Sequence, residues 1–399
     1  MRTHRTPHPG RRDAARFHLG SFRFVVLAAL FAAGALGAPA ANQAARNSER
    51  APDGREPAYA RIDSLLDEGW YDDAHAALDA LQAQAGESPA LLFRRGRLAF
   101  FEEDYEAAEE LLDRAIDGRG AQAEYHLWRG HAAGMRATTG SMFKALGRGK
   151  RCKREYEQAL AIDPRHRDAL FSLLLYHLQA PGIAGGDRER APELAERLRA
   201  ADPATGRQAW YLIHAIADED SARAEAALKE AIRLAPERLE SHAMLARFYV
   251  EHGNPARAES IGVALLATGA DTLQVPVRLQ LAELYLSQER LDAALAQYEA
   301  ALAHDPAAHV AHYQIAKTCI LAERDLERAR RELAHYLAVK RKGTWPPAAA
   351  AHWRLAQVHQ LQGDTEAARL EVRRALALDP DLEPAQELER ELRGGGLFD

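Results

Sequence analysis

The stretch VPVRLQLAELYLSQERLDAALAQYEAALAHDPAA, Val275 to Ala308, decides the fold. Leu281, Ala282 and Tyr285 fall on one face of a first helix. Ala294, Tyr298 and Ala301 recur at helical spacing along a second, with a short turn through Glu289 between the two. Asp305-Pro306 closes the second helix, because proline lacks an N–H donor and disfavours helix in the residue before it. Alanine where two helices cross lets their backbones approach, and leucine and aromatic side chains fill the space around them. The stretch predicts a helix–turn–helix hairpin.

The same ending returns. EYEQALAIDP stops at Pro164, EVRRALALDP at Pro380, and a looser LKEAIRLAP at Pro236. Pro164 to Pro203 spans 39 residues and Pro203 to Pro236 spans 33. Pro236 to Pro306 spans 70 and Pro306 to Pro380 spans 74, two units each. A period in this range, built of helix pairs, marks a helical solenoid. Composition agrees. The chain is rich in Ala, Leu, Glu and Arg, which favour helix, while aromatics are 7% and runs of Val, Ile and Thr are scarce.

On these residues the unit resembles the tetratricopeptide repeat. The resemblance implies an all-α, right-handed α-α superhelical solenoid of about nine helix pairs, with units starting near 55, 89, 123, 167, 205, 239, 275, 309 and 349. The small residue of the second helix reads Ala74, Ala108, Cys152, Ala191, Ala224, Ala258, Ala294, Ala329 and Ala368. Its first-helix partner reads Gly96, Gly130, Ala246, Ala282, Ala316 and Ala356, but Ile62, Leu174 and Leu212 in three units. Gly69, Gly253 and Gly363 fit the break between helices. The solenoid spans 55–380, and residues 381–399 form a charged capping helix and tail.

Residues 1–40 read differently. Six arginines stand against Asp13 alone, the apolar run Phe24–Leu36 follows, and Ala38-Pro39-Ala40 offers a small-residue cleavage site. That is the layout of a secretory signal peptide. The uncharged run reaches Ala41, so retention as a membrane anchor is the alternative. Residues 41–54 read as a linker. Without residues 1–40, which hold six of 52 basic and one of 58 acidic side chains, the formal charge is near −11. An acidic chain argues against broad nucleic-acid binding. Cys152 and Cys319 lie far apart in the register and read as small buried thiols.

Two units are too long. GMRATTGSMFKALGRGKRCKR, Gly134 to Arg154, carries Arg136, Lys144, Arg148, Lys150 and Arg151 among its cations and no acidic residue. It is either a basic docking loop, 134–151, for an anionic partner or an extended helix pair with a solvated basic face. HLQAPGIAGGDRERA, His177 to Ala191, supplies a helix stop at Pro181-Gly182, a tight turn at Gly185-Gly186 and a cap at Asp187. It has no GxxxxGK[ST] or GxGxxG pattern, and reads as structural. Together the two insertions resemble a bacterial group of exported tetratricopeptide-repeat proteins with a similar Ala-Pro-Gly-x-x-Gly-Gly segment. That likeness implies export and fold, and no activity.

The family's ligand groove is lined by the first helix of each pair, which places Tyr59, Phe93, Arg97, Phe101, His131, Phe171, Arg247, Tyr313, Lys317 and Trp353 there. Aromatics and Arg are the residue types that anchor interfaces, and an extended or helical peptide fits such a groove. The asparagine of the family's carboxylate clamp is missing: its position reads Asp63, Arg97, His131, Leu175, Ile213, Arg247, Glu283, Lys317 and Gln357. No HExxH, CxxC, GxSxG or kinase signature appears, so no catalytic residue, metal site or cofactor is assigned. His126, His242, His312 and His352 share one first-helix position and read as packing. His309 and His312 share a face, but two ligands alone make a weak metal site, and an enzyme reading would rest on those histidines. The expectation is a non-enzymatic scaffold that binds a protein or peptide in the periplasm. The alternative is a membrane-tethered assembly factor for protein or polysaccharide export.

Overall fold

In the computed structural model, residues 55–118, 122–138, 142–339 and 346–394 are described. The signal peptide of 1–40, the linker of 41–54 and the tail beyond 394 lie outside them. Nineteen α-helices and two single 3₁₀ turns fill the described residues, with no strand among them. The residues gather into two compact units: those up to 67 together with 77–236, and 68–76 together with those from 237 onward.

The first part of the chain supplies α1 (Glu56–Asp67), α2 (Tyr71–Ala85), α3 (Pro89–Phe101), α4 (Tyr105–Asp117), α5 (Ala123–Thr138), α6 (Met142–Ile162), α7 (Arg167–Gln179), α8 (Ala191–Ala201), α9 (Pro203–Ile216) and α10 (Ser221–Leu234). From α3 to α10 every helix packs on the next. Starts are set by side-chain caps. Ser88, Asp104, Asp202 and Asp220 each accept from a backbone N–H of the first turn, which would otherwise be unsatisfied.

The second unit is built from α11 (Leu239–Glu251), α12 (Pro255–Ala267), α13 (Asp271–Ser287), α14 (Leu291–His304), α15 (Val310–Leu321), α16 (Leu326–Ala338), α17 (Ala348–Leu361), α18 (Thr365–Leu378) and α19 (Glu383–Gly394). Again each packs on its successor. α13 begins at Asp271, ahead of Val275, and runs through Pro276. The breaks inside pairs use left-handed backbone, at Gly253 (φ 72°) and Gly363 (φ 79°) but also at Glu289 (φ 58°). Among the described residues no helix is long and apolar enough to cross a membrane.

The nine small residues of the second helices are all buried. At Gly96 and Gly130 an added Cβ would come within 2.8 Å of Leu112 and 2.5 Å of Tyr156. These are the close crossings that the alanine and glycine pattern predicts. Cys152 and Cys319 are free and buried, and burial pushes the Cys152 thiol up to about 12. Neither is suited to redox chemistry.

Candidate functional site: helix faces and a cleft between two insertions

The ten first-helix positions divide. Tyr59, Phe93, Arg97 and Tyr313 are buried, so they serve the stack and offer no groove surface. The Tyr59 hydroxyl lies 3.1 Å from Ser88 Oγ, and Arg94 stands 4.2 Å over its ring. Phe93 stacks on Tyr125 at 4.7 Å, and Tyr313 tilts against Tyr336 at 5.4 Å. Arg97 donates to Asp63 at 2.7 Å and Asp67 at 2.8 Å, and lies 4.8 Å over the Trp128 ring. A buried guanidinium is tolerated because it is paired. Sequence spacing places these side chains on the correct helix but cannot tell a groove-facing aromatic from one packed on a neighbour.

Six positions keep accessible surface. Arg247 is exposed, while Phe101, His131, Phe171, Lys317 and Trp353 are half-buried. Phe101 meets Trp128 edge-on at 5.4 Å. His131 Nδ1 lies 3.0 Å from the Tyr156 hydroxyl, and burial lowers its pKa to about 4, so it presents a neutral imidazole at pH 7. Arg354 stands 4.1 Å over the Trp353 ring, and Arg247 donates to Glu251 at 2.9 Å.

The described part of the basic insertion is helical, with 134–138 ending α5 and 142–151 on α6, while 139–141 lie outside the described residues. Residues 142–162 are one continuous helix, α6, facing α5 across 139–141, so Lys144, Arg148, Lys150 and Arg151 all ride on helix. Neither Gly147 nor Gly149 breaks it, since glycine weakens a helix by only about 1 kcal/mol and the pair's packing outweighs that. Several of its cations are engaged. Arg136 donates to Glu106 at 2.6 Å and also to the buried Glu109, which Arg151 approaches at 3.5 Å. Arg148 donates to the carbonyl of Arg136 at 2.8 Å. Lys144 and Lys150 remain exposed.

The two insertions meet. The segment after α7 folds as 3₁₀ turns at Gly182–Ala184 and Arg188–Arg190, the first lying against α6. Tyr176 donates to the carbonyl of Ala184 at 2.8 Å, Arg188 to that of Leu178 at 3.2 Å, and Lys153 of α6 to that of Gly185 at 3.3 Å. Gly185 has φ 93°, and a Cβ at Gly186 would fall 1.8 Å from the carbonyl oxygen of Ala180. The glycine pair is therefore a steric requirement of the turn.

Between α6, α7, the turns and α8 lies a cleft of about 360 Å³. Its walls carry Lys153, Arg190 and Arg197 against Glu157 and Asp187, with His177 among them. His177 is buried, its Nδ1 has no hydrogen-bond partner, and burial and then Lys153 lower its pKa. Ile183, in the first 3₁₀ turn, stands 72% exposed. Sequence reading takes this segment as structure alone, because nothing in the spacing shows that Lys153 and Arg190 share a wall.

Family models agree with the repeat. Models described as tetratricopeptide repeat match residues 59–133 and 321–383, residues 215–275, and residues 275–307. No curated protein matches the chain. Among solved structures, the chain is similar to a tetratricopeptide repeat protein from Parabacteroides merdae, at 14% identity over 85% of this chain and 98% of that one, TM-score 0.37. It is also similar to the C-terminal part of a repeat-containing protein from Cytophaga hutchinsonii, at 15% identity over 83% and 98%, TM-score 0.33. A thermophilic repeat protein of Thermus thermophilus is 20% identical over 63% and 100%, TM-score 0.30. With family models matching more than half of its 399 residues, the chain belongs to the tetratricopeptide-repeat family, whose repeats are scaffolds for protein interaction.

Proposed function

We propose that this chain is an exported scaffold of the bacterial envelope that works by binding alone, and that its partner docks at the cleft between the two insertions. The observation that carries this reading is the cleft itself. Both departures from the repeat period fold against each other to build it, with Lys153, Arg190 and Arg197 on its walls and Ile183 exposed on the turn that lies against α6. An apolar anchor next to charged walls is what a peptide-binding hot spot offers. The three cations outnumber Glu157 and Asp187 on the walls by one, which favours an acidic segment, and the accessible first-helix residues Phe101, His131 and Phe171 extend the contact. The arginine-rich start, short apolar run and Ala38-Pro39-Ala40 site support export.

The test is capture from an envelope fraction with the mature chain as bait, beside Ile183→Ser combined with Arg190→Glu, and beside Phe101→Ala. A partner held by the wild type and lost with the first pair supports the cleft. Equal capture by the cleft variant and loss with Phe101→Ala moves docking to the helix face. Mapping the mature N-terminus decides the tether: a first residue at Ala41 is expected, and a retained Phe24–Ala41 run favours a membrane-tethered assembly factor.

A further inference from the structure

Three histidines of one helix pair converge in the second unit. His309 is the residue before α15, His312 lies in its first turn, and His335 lies in the last turn of α16. One imidazole nitrogen from each lies within 4.8 Å of the other two. The rings of His312 and His335 are 4.2 Å apart between centroids, and His309 stands 6.4 Å and 6.3 Å from them. His312 Nδ1 is 2.5 Å from Glu332 Oε2. A carboxylate there holds the proton on Nδ1 and leaves a lone pair on Nε2, the arrangement that orients metal-ligating histidines.

We propose that His309, His312 and His335 form a binding site for a first-row divalent cation of the zinc class, with Glu332 as the residue that positions His312. Imidazole donors suit zinc, copper and nickel rather than calcium or magnesium. A tetrahedral zinc ion bound at about 2.0–2.1 Å sets its nitrogens roughly 3.4 Å apart. The three nitrogens need to close by about 1.4 Å at most. His335 is exposed and has room to swing, while His309, just ahead of α15, and His312, in its first turn, are half-buried.

The helix ends act in opposite senses. The N-terminus of α15 disfavours a cation, and the C-terminal turn of α16 and the Glu332 carboxylate favour one. Arg328 Nε lies 3.5 Å from the other Glu332 oxygen, so that carboxylate is shared and does not itself fill the coordination sphere. Three protein ligands with an exposed third histidine leave a fourth position open to water or an incoming ligand. The bound ion ties α15 to α16.

The full chain, stripped with chelator, is titrated with Zn²⁺ against a chromophoric competitor, beside His335→Ala and Glu332→Gln. One tightly held ion per chain is expected in the wild type and none in His335→Ala. Binding in Glu332→Gln weakens about 10–100-fold. Co²⁺ in place of zinc gives a visible ligand-field spectrum of tetrahedral intensity in the wild type and not in His335→Ala. Circular dichroism of the metal-free proteins reports folding, and if His335→Ala loses helix, His309→Gln is judged by the same criteria. A wild type that holds no tight ion, or a ligand variant (His335→Ala or His309→Gln) that holds as many ions as the wild type, overturns the site.

Discussion

Gly130 and Tyr156 are in van der Waals contact across the α5–α6 crossing, so close that a Cβ at 130 would come 2.5 Å from Cε1 of the ring. Tyr156 is fully buried and cannot retreat to solvent. Gly130→Ala is therefore expected to destabilise the protein by about 1–3 kcal/mol through overpacking. Gly147→Ala, exposed on α6 with nothing within 4 Å of the added Cβ, should instead stabilise by about 0.5–1 kcal/mol. Urea unfolding followed by circular dichroism measures both. The same sign for the two variants would contradict the crossing.

His131, next along α5, predicts an acid limit. Burial, together with His166 and against the pull of Asp168, takes its pKa to about 4 from 6.5. The unfolded chain then protonates first, so the stability owed to neutral His131 is complete above about pH 6.5 and is lost as pH falls toward 4. That loss amounts to no more than about 3 kcal/mol. His166 has the opposite sign. Burial is the largest influence and opposes its charged form, but the hydrogen bond to Glu124 at 2.8 Å together with the charges of Glu124, Asp168 and Asp163 outweighs it, and its pKa is raised. Its contribution is present below pH 6.5 and lost as pH rises through the folded value. In His131→Gln the slope of stability between pH 4 and 6.5 should flatten while the alkaline slope stays.

Asp63 receives Arg94 and Arg97, each at 2.7 Å, and all three are buried. Asp63→Ala removes the shared carboxylate from two buried guanidinium groups, leaving Arg94 the carbonyl of Ala90 and Arg97 only Asp67. The expected cost is about 3–5 kcal/mol, read as a lower urea midpoint at unchanged slope. A change below about 1 kcal/mol, as for an exposed pair, would mean that water reaches this cluster.

The repeat was legible because its signal is local. Cys152, Ala191, Ala224, Ala294 and Ala368 each stand 12 residues before a proline, and all five are buried as that position implies. Pairing across units was not legible. Glu109 on α4 takes Arg136 from α5 and Arg151 from α6, partners 27 and 42 residues away that no periodicity marks. That pairing is one reason a run of cations without acids folds as helix rather than loop. His335 escaped for the same reason: it sits 23 residues past His312, and only the packing of α16 on α15 brings it back. Tyr59 and Phe93 were placed on the right helices but turn into the stack, a choice set by their neighbours Arg94 and Tyr125.

Gly186 tests whether the cleft depends on its turn. A Cβ at this position would overlap the backbone of Ala180, 1.8 Å from its oxygen and 2.6 Å from its carbonyl carbon. Backbone cannot rotate away as a side chain can, so Gly186→Ala has to open the turn. Opening it strains the Tyr176 bond to Ala184 and the Lys153 bond to Gly185, which hold the cleft walls. Gly182→Ala meets nothing within 4 Å and serves as the matched control. Hydrogen exchange should show faster exchange in Gly186→Ala at 180–190, with α13 to α18 unchanged, and Gly182→Ala should match the wild type. Partner capture should fall with Gly186→Ala and persist with Gly182→Ala. Capture that survives an opened turn would separate binding from the cleft and assign it to the accessible first-helix residues.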